Sequence, residues 1–273
     1  MDSPTIFLVD NGSLRPAATF ALRTIAGALS QRVNMRIEPV SLLHSHKIPA
    51  GKLNGMPATI VKRRLRELLA EGQREFLILP LFLGPSLAIT DYLPTMIEEL
   101  REECPDLCVK ITESMAGADV DNPDPRLAQV LADHVLNQMP LREGVSVAMV
   151  DHGTPHKPVN VLRNTVAAQL AAKLQVPVQA CSMERRDGPE YAFNDPLLEN
   201  LATVKGDSDT HLILGMFFIL PGRHAGEGGD VAEIIEGLIK RDHFKSIHVC
   251  PLLGEHPLLL DVLADRLKEA RAG

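Results

Sequence analysis

The chain carries an internal copy of itself. Residues Thr5-Ile6-Phe7-Leu8-Val9-Asp10-Asn11-Gly12-Ser13 align with Ser146-Val147-Ala148-Met149-Val150-Asp151-His152-Gly153-Thr154, each an apolar run ended by a polar turn with glycine. Later in each half the same helical tetrapeptide recurs, as Val130-Leu131-Ala132-Asp133 and Val262-Leu263-Ala264-Asp265. A repeat constrains everything else, because both copies must fold as the same supersecondary unit. Between these markers short β-type runs alternate with amphipathic stretches, the pattern of βαβ units around a parallel sheet.

Strands are expected near 6–10, 35–42, 76–83 and 108–113 in the first copy, and near 145–150, 176–181, 211–219 and 246–250 in the second. Helices are expected near 16–31, 57–72, 93–103, 158–174, 196–205 and 230–241. The unbroken apolar runs Phe76-Leu77-Ile78-Leu79 and Leu212-Ile213-Leu214 suit strands covered on both faces. The expected fold class is α/β, with two Rossmann-like parallel-sheet lobes at 1–140 and 141–273 joined through the polar stretch 137–144. Right-handed crossovers place every strand C-terminus on one edge, where open α/β sheets bind ligands.

Because the copies align, each is a control for the other. After the first strand, Asn11 stands where the second copy has His152. After the second strand, Leu43 stands opposite Glu184, and after the third, Ala88 stands opposite His224 when one residue is inserted in the second copy. Three metal-capable side chains are present together in one copy and absent together from the other. Singly, each has a plain reading: a turn histidine, or, for Glu184 beside Arg185, Arg186 and Asp187, a solvated charge cluster. Jointly, at matched strand ends, two imidazoles and a carboxylate suit a borderline divalent metal and leave coordination positions open.

Composition closes off other classes. A net charge of −7 excludes a nucleic-acid backbone as the main partner. No apolar stretch approaches the roughly 20 residues that span a bilayer. The start, Met1-Asp2-Ser3-Pro4-Thr5, lacks a basic leader, so the expected location is cytoplasmic, with Cys104, Cys108, Cys181 and Cys250 reduced. No G-x-x-x-x-G-K-[ST] loop occurs, and the glycines near Gly226 do not form G-x-G-x-x-G. A nucleotide and an organic cofactor are therefore not expected.

The motifs resemble those of the CbiX/SirB class II chelatases. The resemblance is carried by Val150-Asp151-His152-Gly153-Thr154, by Phe217-Phe218-Ile219-Leu220-Pro221-Gly222-Arg223-His224, by Leu253-Gly254-Glu255-His256-Pro257, and in the first half by Pro80-Leu81-Phe82-Leu83-Gly84-Pro85. It spans nearly the whole chain, as in long duplicated members. It implies a chelatase-like fold with a cleft between the lobes. The implied activity is ATP-independent insertion of a divalent metal substrate, Co2+ or Fe2+ and also Ni2+, into sirohydrochlorin or a related tetrapyrrole, for cobalamin or siroheme biosynthesis. His152 and His224 fall on the family's metal-binding histidines, and Glu184 on its acidic ligand or base. Asn11 and Ala88 imply a first copy without that metal site.

For the substrate, Gly153 and Gly222 are expected to admit a flat ring, and Arg185, Arg186 and Arg223, with Lys157 and Arg163, to meet its carboxylates. His156 is a candidate auxiliary ligand or a turn residue, and Glu227 and Asp230 are acids of the cleft or a helix start. His44 and His46 are loop residues that could deliver metal. A monomer or a homodimer is implied. The alternative from a different class is a non-catalytic metal- or tetrapyrrole-binding protein, a metallochaperone or sensor.

Overall fold

The computed structural model describes residues 4–201 and 211–272. Strands β1 (Thr5–Asp10), β2 (Ile37–Ser41), β3 (Glu75–Pro80) and β4 (Cys108–Ile111) form one sheet in the order β2-β1-β3-β4. Strands β5 (Val145–Asp151), β6 (Val178–Ser182), β7 (His211–Met216) and β8 (Ser246–Leu252) form a second in the order β6-β5-β7-β8. Every pairing is parallel, as the apolar runs foretold. Successive residues of β1 and β5 are buried whichever face they point to, because helices cover both sides.

The helices are α1 (Pro16–Val33), α2 (Val61–Ala70), α3 (Leu93–Glu103), α4 (Pro125–Leu136), α5 (Lys157–Leu174), α6 (Asp230–Lys240) and α7 (Leu258–Ala272). In the first sheet, Phe7, Val9, Phe76 and Ile78 meet Leu65 of α2 and Leu93, Ile97 and Leu100 of α3 in one buried cluster. In the second, Ala148, Val150, Leu212 and Leu214 meet Val231, Ile235 and Leu238 of α6. Each fully buried leucine contributes roughly 1.5–3 kcal/mol, so these faces fix which edge of each sheet is left for chemistry. No helix among the described residues is long and apolar enough to cross a membrane.

The compact units do not follow the repeat. One is Met1–Ala118 with Leu260–Gly273, and the other is Asp119–Leu259. Helix α4 packs on α5, β7 and β8 of the second unit. Helix α7 completes the first, where buried Arg266 donates to the carbonyls of Ser114 and Met115, each at 3.1 Å, just beyond β4. The division expected at 1–140 and 141–273 therefore differs from the packing units by an exchange of last helices. The recurring tetrapeptide gives both helices a similar apolar stripe.

The described part of the helix expected at 196–205 runs through a 3-10 turn to a helical Leu201. Pro189–Asn194 and Leu198–Asn200 make 3-10 turns, and 202–205 lie outside the described residues. Backbone hydrogen bonds also settle how the copies correspond. Leu43 N donates to Asn11 O at 3.1 Å and Glu184 N to His152 O at 3.2 Å, which equates Leu43 with Glu184. Leu81 N donates to Val9 O as Phe217 N does to Val150 O, and counting on from that pair sets Ala88 opposite His224 with no insertion.

Candidate metal centre

Three loops leave the C-terminal edge of the second sheet, and each brings one expected side chain. His152 follows β5, Glu184 follows β6, and His224 lies in the loop between β7 and α6. The His152 and His224 rings stand edge to face with centroids 4.4 Å apart. Glu184 Oε1 is 3.4 Å from His152 Nε2. Residues separated by 32 and 40 positions in the chain thus meet because their strands are neighbours in the order β6-β5-β7.

The hydrogen bonds of the two rings set their tautomers. His152 Nδ1 lies 2.8 Å from Gly153 O, and a carbonyl only accepts, so Nδ1 carries the proton. His224 Nδ1 lies 2.6 Å from Asp230 Oδ2, so the same holds when the carboxylate is ionised. Both Nε2 lone pairs are then available. A carboxylate or carbonyl behind a ring nitrogen is the usual support of a metal-binding histidine. Asp230, the first residue of α6, was open between a cleft acid and a helix start in the sequence. The structure ties it to His224 and, at 3.7 Å, to Arg223.

Two turns make this meeting possible. Gly153 has φ +90°, and a Cβ there would lie 1.8 Å from Glu184 O. The missing side chain is filled by the neighbouring backbone, so glycine here lets the His152 and Glu184 turns touch. That packing role differs from the expected opening for a flat ring. The glycine-rich stretch behind His224 has a similar cause: a Cβ on Gly226 would meet Gly222 O at 2.6 Å, and one on Gly229 would meet Arg223 O at 2.5 Å. The loop folds tightly on itself and returns Val231 N to His224 O at 3.1 Å.

The other expected residues separate. Arg185 is held by Asp195 at 3.0 Å and by the carbonyls of Arg186 and Gly188. Arg186 lies over the Tyr191 ring, 5.9 Å from its centroid. Arg223 is exposed. Glu184, Arg185, Arg223 and Asp230 border an open depression of about 630 Å³ that also takes in Arg241, which the sequence reading did not single out. Gly222 accepts the Gly226 N–H in the His224 loop. Arg163, expected among substrate-facing cations, is instead only 2% exposed. Burial pushes the Asp151 carboxyl above its ordinary range, against the pull of Arg163, the Ser182 hydroxyl and the Gly153 N–H. His156 precedes α5 and is half-buried, Glu227 is exposed, and His44 and His46 are exposed in the loop after β2. Among the described residues, no three His, Cys, Asp or Glu side chains already stand as a complete metal-holding group.

Comparison with known proteins bears on this half of the chain directly. The CbiX family model matches residues 146–270, from β5 into α7. The copy that carries the two histidines is therefore the part of the chain that is similar to the CbiX family. No curated protein matches the sequence. Among solved structures, SirB from Bacillus subtilis with Fe3+ superposes with a TM-score of 0.73 at 14% identity, covering 99% of this chain and 96% of that one. The sirohydrochlorin chelatase SirB from Bacillus subtilis subspecies spizizenii in complex with cobalt gives 0.66 at 12% identity, covering 98% and 95%. CbiX, the terminal enzyme for biosynthesis of siroheme in denitrifying bacteria, gives 0.58 at 17%, covering 97% and 98%. These structural likenesses establish the chelatase-like fold over both copies.

Proposed function

We propose that this protein inserts a divalent metal, Co2+ or Fe2+ and also Ni2+, into sirohydrochlorin or a related tetrapyrrole without a nucleotide. The reading rests on one observation: two imidazoles in contact, each with Nδ1 tied to an oxygen, and a carboxylate oxygen 3.4 Å from one Nε2. A carboxylate beside an imidazole lone pair is repulsive unless a proton or a metal cation lies between them. Two donors about 2.1 Å from a tetrahedral ion stand roughly 3.4 Å apart, which is the separation found here. The match of the CbiX family model to the second copy, and the folds of iron- and cobalt-bound SirB, support the same reading.

Insertion exchanges two pyrrole N–H protons for one divalent ion. His152 and His224 hold the ion through Nε2, and Glu184 serves as third ligand or takes a departing proton. Because Glu184 is more than half exposed, it can swing between the ion and water, so one group can do both. Arg185, Arg223 and Arg241 around the depression supply guanidinium forks for substrate carboxylates.

The test is anaerobic insertion into sirohydrochlorin followed by absorbance, with Co2+, Fe2+ and Ni2+ in turn. Saturable insertion by the wild type, lost in both His152→Ala and His224→Ala, is expected. No acceleration over the enzyme-free reaction with any metal would leave a non-catalytic metal- or tetrapyrrole-binding protein.

A further inference from the structure

Beneath the His152 turn lies a ring of buried polar groups. Asp151 Oδ1 accepts from Gly153 N at 3.1 Å and from Ser182 Oγ at 2.6 Å. Ser182 Oγ accepts in turn from Arg163 Nη1 at 2.5 Å, and the same nitrogen donates to Asn194 O at 3.0 Å. The Asn194 side chain closes the ring: its Oδ1 accepts from Thr154 N at 3.0 Å and its Nδ2 donates to Thr154 O at 2.9 Å. Both backbone neighbours of the His152–Gly153 turn are therefore held, Asp151 from below and Thr154 by both edges of an amide. Arg163 and Asn194 are 2% and 0% exposed, so neither meets a ligand directly.

The first copy keeps Asp10, Ser41 and the Gly12 N–H, and shows that the turn does not need the Arg163 and Asn194 parts of this ring. Twelve residues after Asp10, as Arg163 is after Asp151, stands Leu22. Ser41 N donates to Thr59 O as Ser182 N does to Pro196 O, which sets Pro57 where the second copy has Asn194. Yet Gly12 keeps φ +88° beside +90° at Gly153, and Leu42 N still reaches Asp10 O at 2.8 Å as Met183 N reaches Asp151 O. The fold is made equally well with leucine and proline. A buried ion pair is a poor stability device, since desolvation offsets its attraction. Arg163, Asn194 and the histidine are present together in one copy and missing together from the other.

We infer that Arg163 and Asn194 are positioning residues that hold the exposed His152 in register with His224 and Glu184. This rests on the reading of His152 as a metal-holding residue. Such sites require their groups within about 0.5 Å of the productive place, and a side chain half in water has only its backbone to secure it.

The test uses the full chain with Co2+ alone as the binding probe, read by visible absorption, alongside insertion kinetics. The proteins are wild type, His152→Ala, Arg163→Leu and Asn194→Ala, each checked by circular dichroism and thermal melting. With folded variants, Arg163→Leu and Asn194→Ala should weaken Co2+ binding by about 10–100-fold and alter its spectrum. They should lower kcat while leaving KM for the tetrapyrrole unchanged, a split that general loosening would not give. Arg163→Leu removes a buried charge, so Asn194→Ala decides alone if the arginine variant fails to fold. Wild-type Co2+ affinity and kcat in a folded Asn194→Ala overturns the inference. Equal Co2+ binding by wild type and His152→Ala instead overturns the metal reading, and the inference with it.

Discussion

Replacing Gly153 with alanine probes the link between the turn and the site. Its backbone has φ +90°, a conformation that costs an L-residue roughly 1–2 kcal/mol. The new Cβ would sit 1.8 Å from Glu184 O, and relief to an ordinary contact needs a shift of roughly 1.5 Å between the turns. That shift breaks the 3.2 Å bond from Glu184 N to His152 O, a further loss of about 1 kcal/mol. Gly153→Ala should therefore destabilise the protein by about 3 kcal/mol and separate Glu184 from His152. Gly12→Ala meets the same obstacle, φ +88° and Leu43 O at 1.8 Å, in the copy without the histidine. The assay is urea denaturation of both variants with Co2+ titration of each under native conditions. Similar stability losses are expected, with Co2+ binding lost only in Gly153→Ala. Wild-type Co2+ affinity in Gly153→Ala, or equal loss of binding in Gly12→Ala, would refute the reasoning.

Two further outcomes follow from single residues. Burial raises the Asp10 carboxyl to about 6, against the pull of Ser41 and the Gly12 N–H, and its Oδ1 has no partner among the described residues. The folded state then holds a proton that the unfolded state releases near the ordinary carboxylate value, so stability falls as pH rises toward about 6 and levels off above it. Asp10→Asn removes that fall, and its advantage over wild type should grow by roughly 3 kcal/mol from below pH 4 to pH 7, read from urea midpoints; a constant difference would contradict the assignment. Asp230→Asn weakens the support behind His224 Nδ1 and should reduce Co2+ affinity by about 10–100-fold in a calorimetric titration, whereas unchanged affinity would remove Asp230 from the site.

The parallel sheets and the meeting of His152, Glu184 and His224 were legible because duplication supplies a register: Asn11, Leu43 and Ala88 mark what the same strand ends look like without the site. Other features were not legible, each for a physical reason. Val130-Leu131-Ala132-Asp133 and Val262-Leu263-Ala264-Asp265 share one apolar stripe, which says that a helix packs and not on which sheet, so the exchange of α4 and α7 could not be read. Arg163 looks like any helix-surface cation, and only its depth within the fold distinguishes it. Gly153 signals close approach, but not whether a ligand or the Glu184 carbonyl is what approaches. One signal could have been used: Asn194 opposite Pro57 and Arg163 opposite Leu22 are further places where the copies differ in polarity.

The most direct measurement is the anomalous scattering of Co2+ in crystals of the wild-type protein soaked at low concentration. The account predicts one strong peak within coordination distance of His152 Nε2 and His224 Nε2, with a Glu184 oxygen as the third protein ligand, and its loss in His224→Ala. A peak elsewhere on the molecule, with these three side chains unligated, would contradict it.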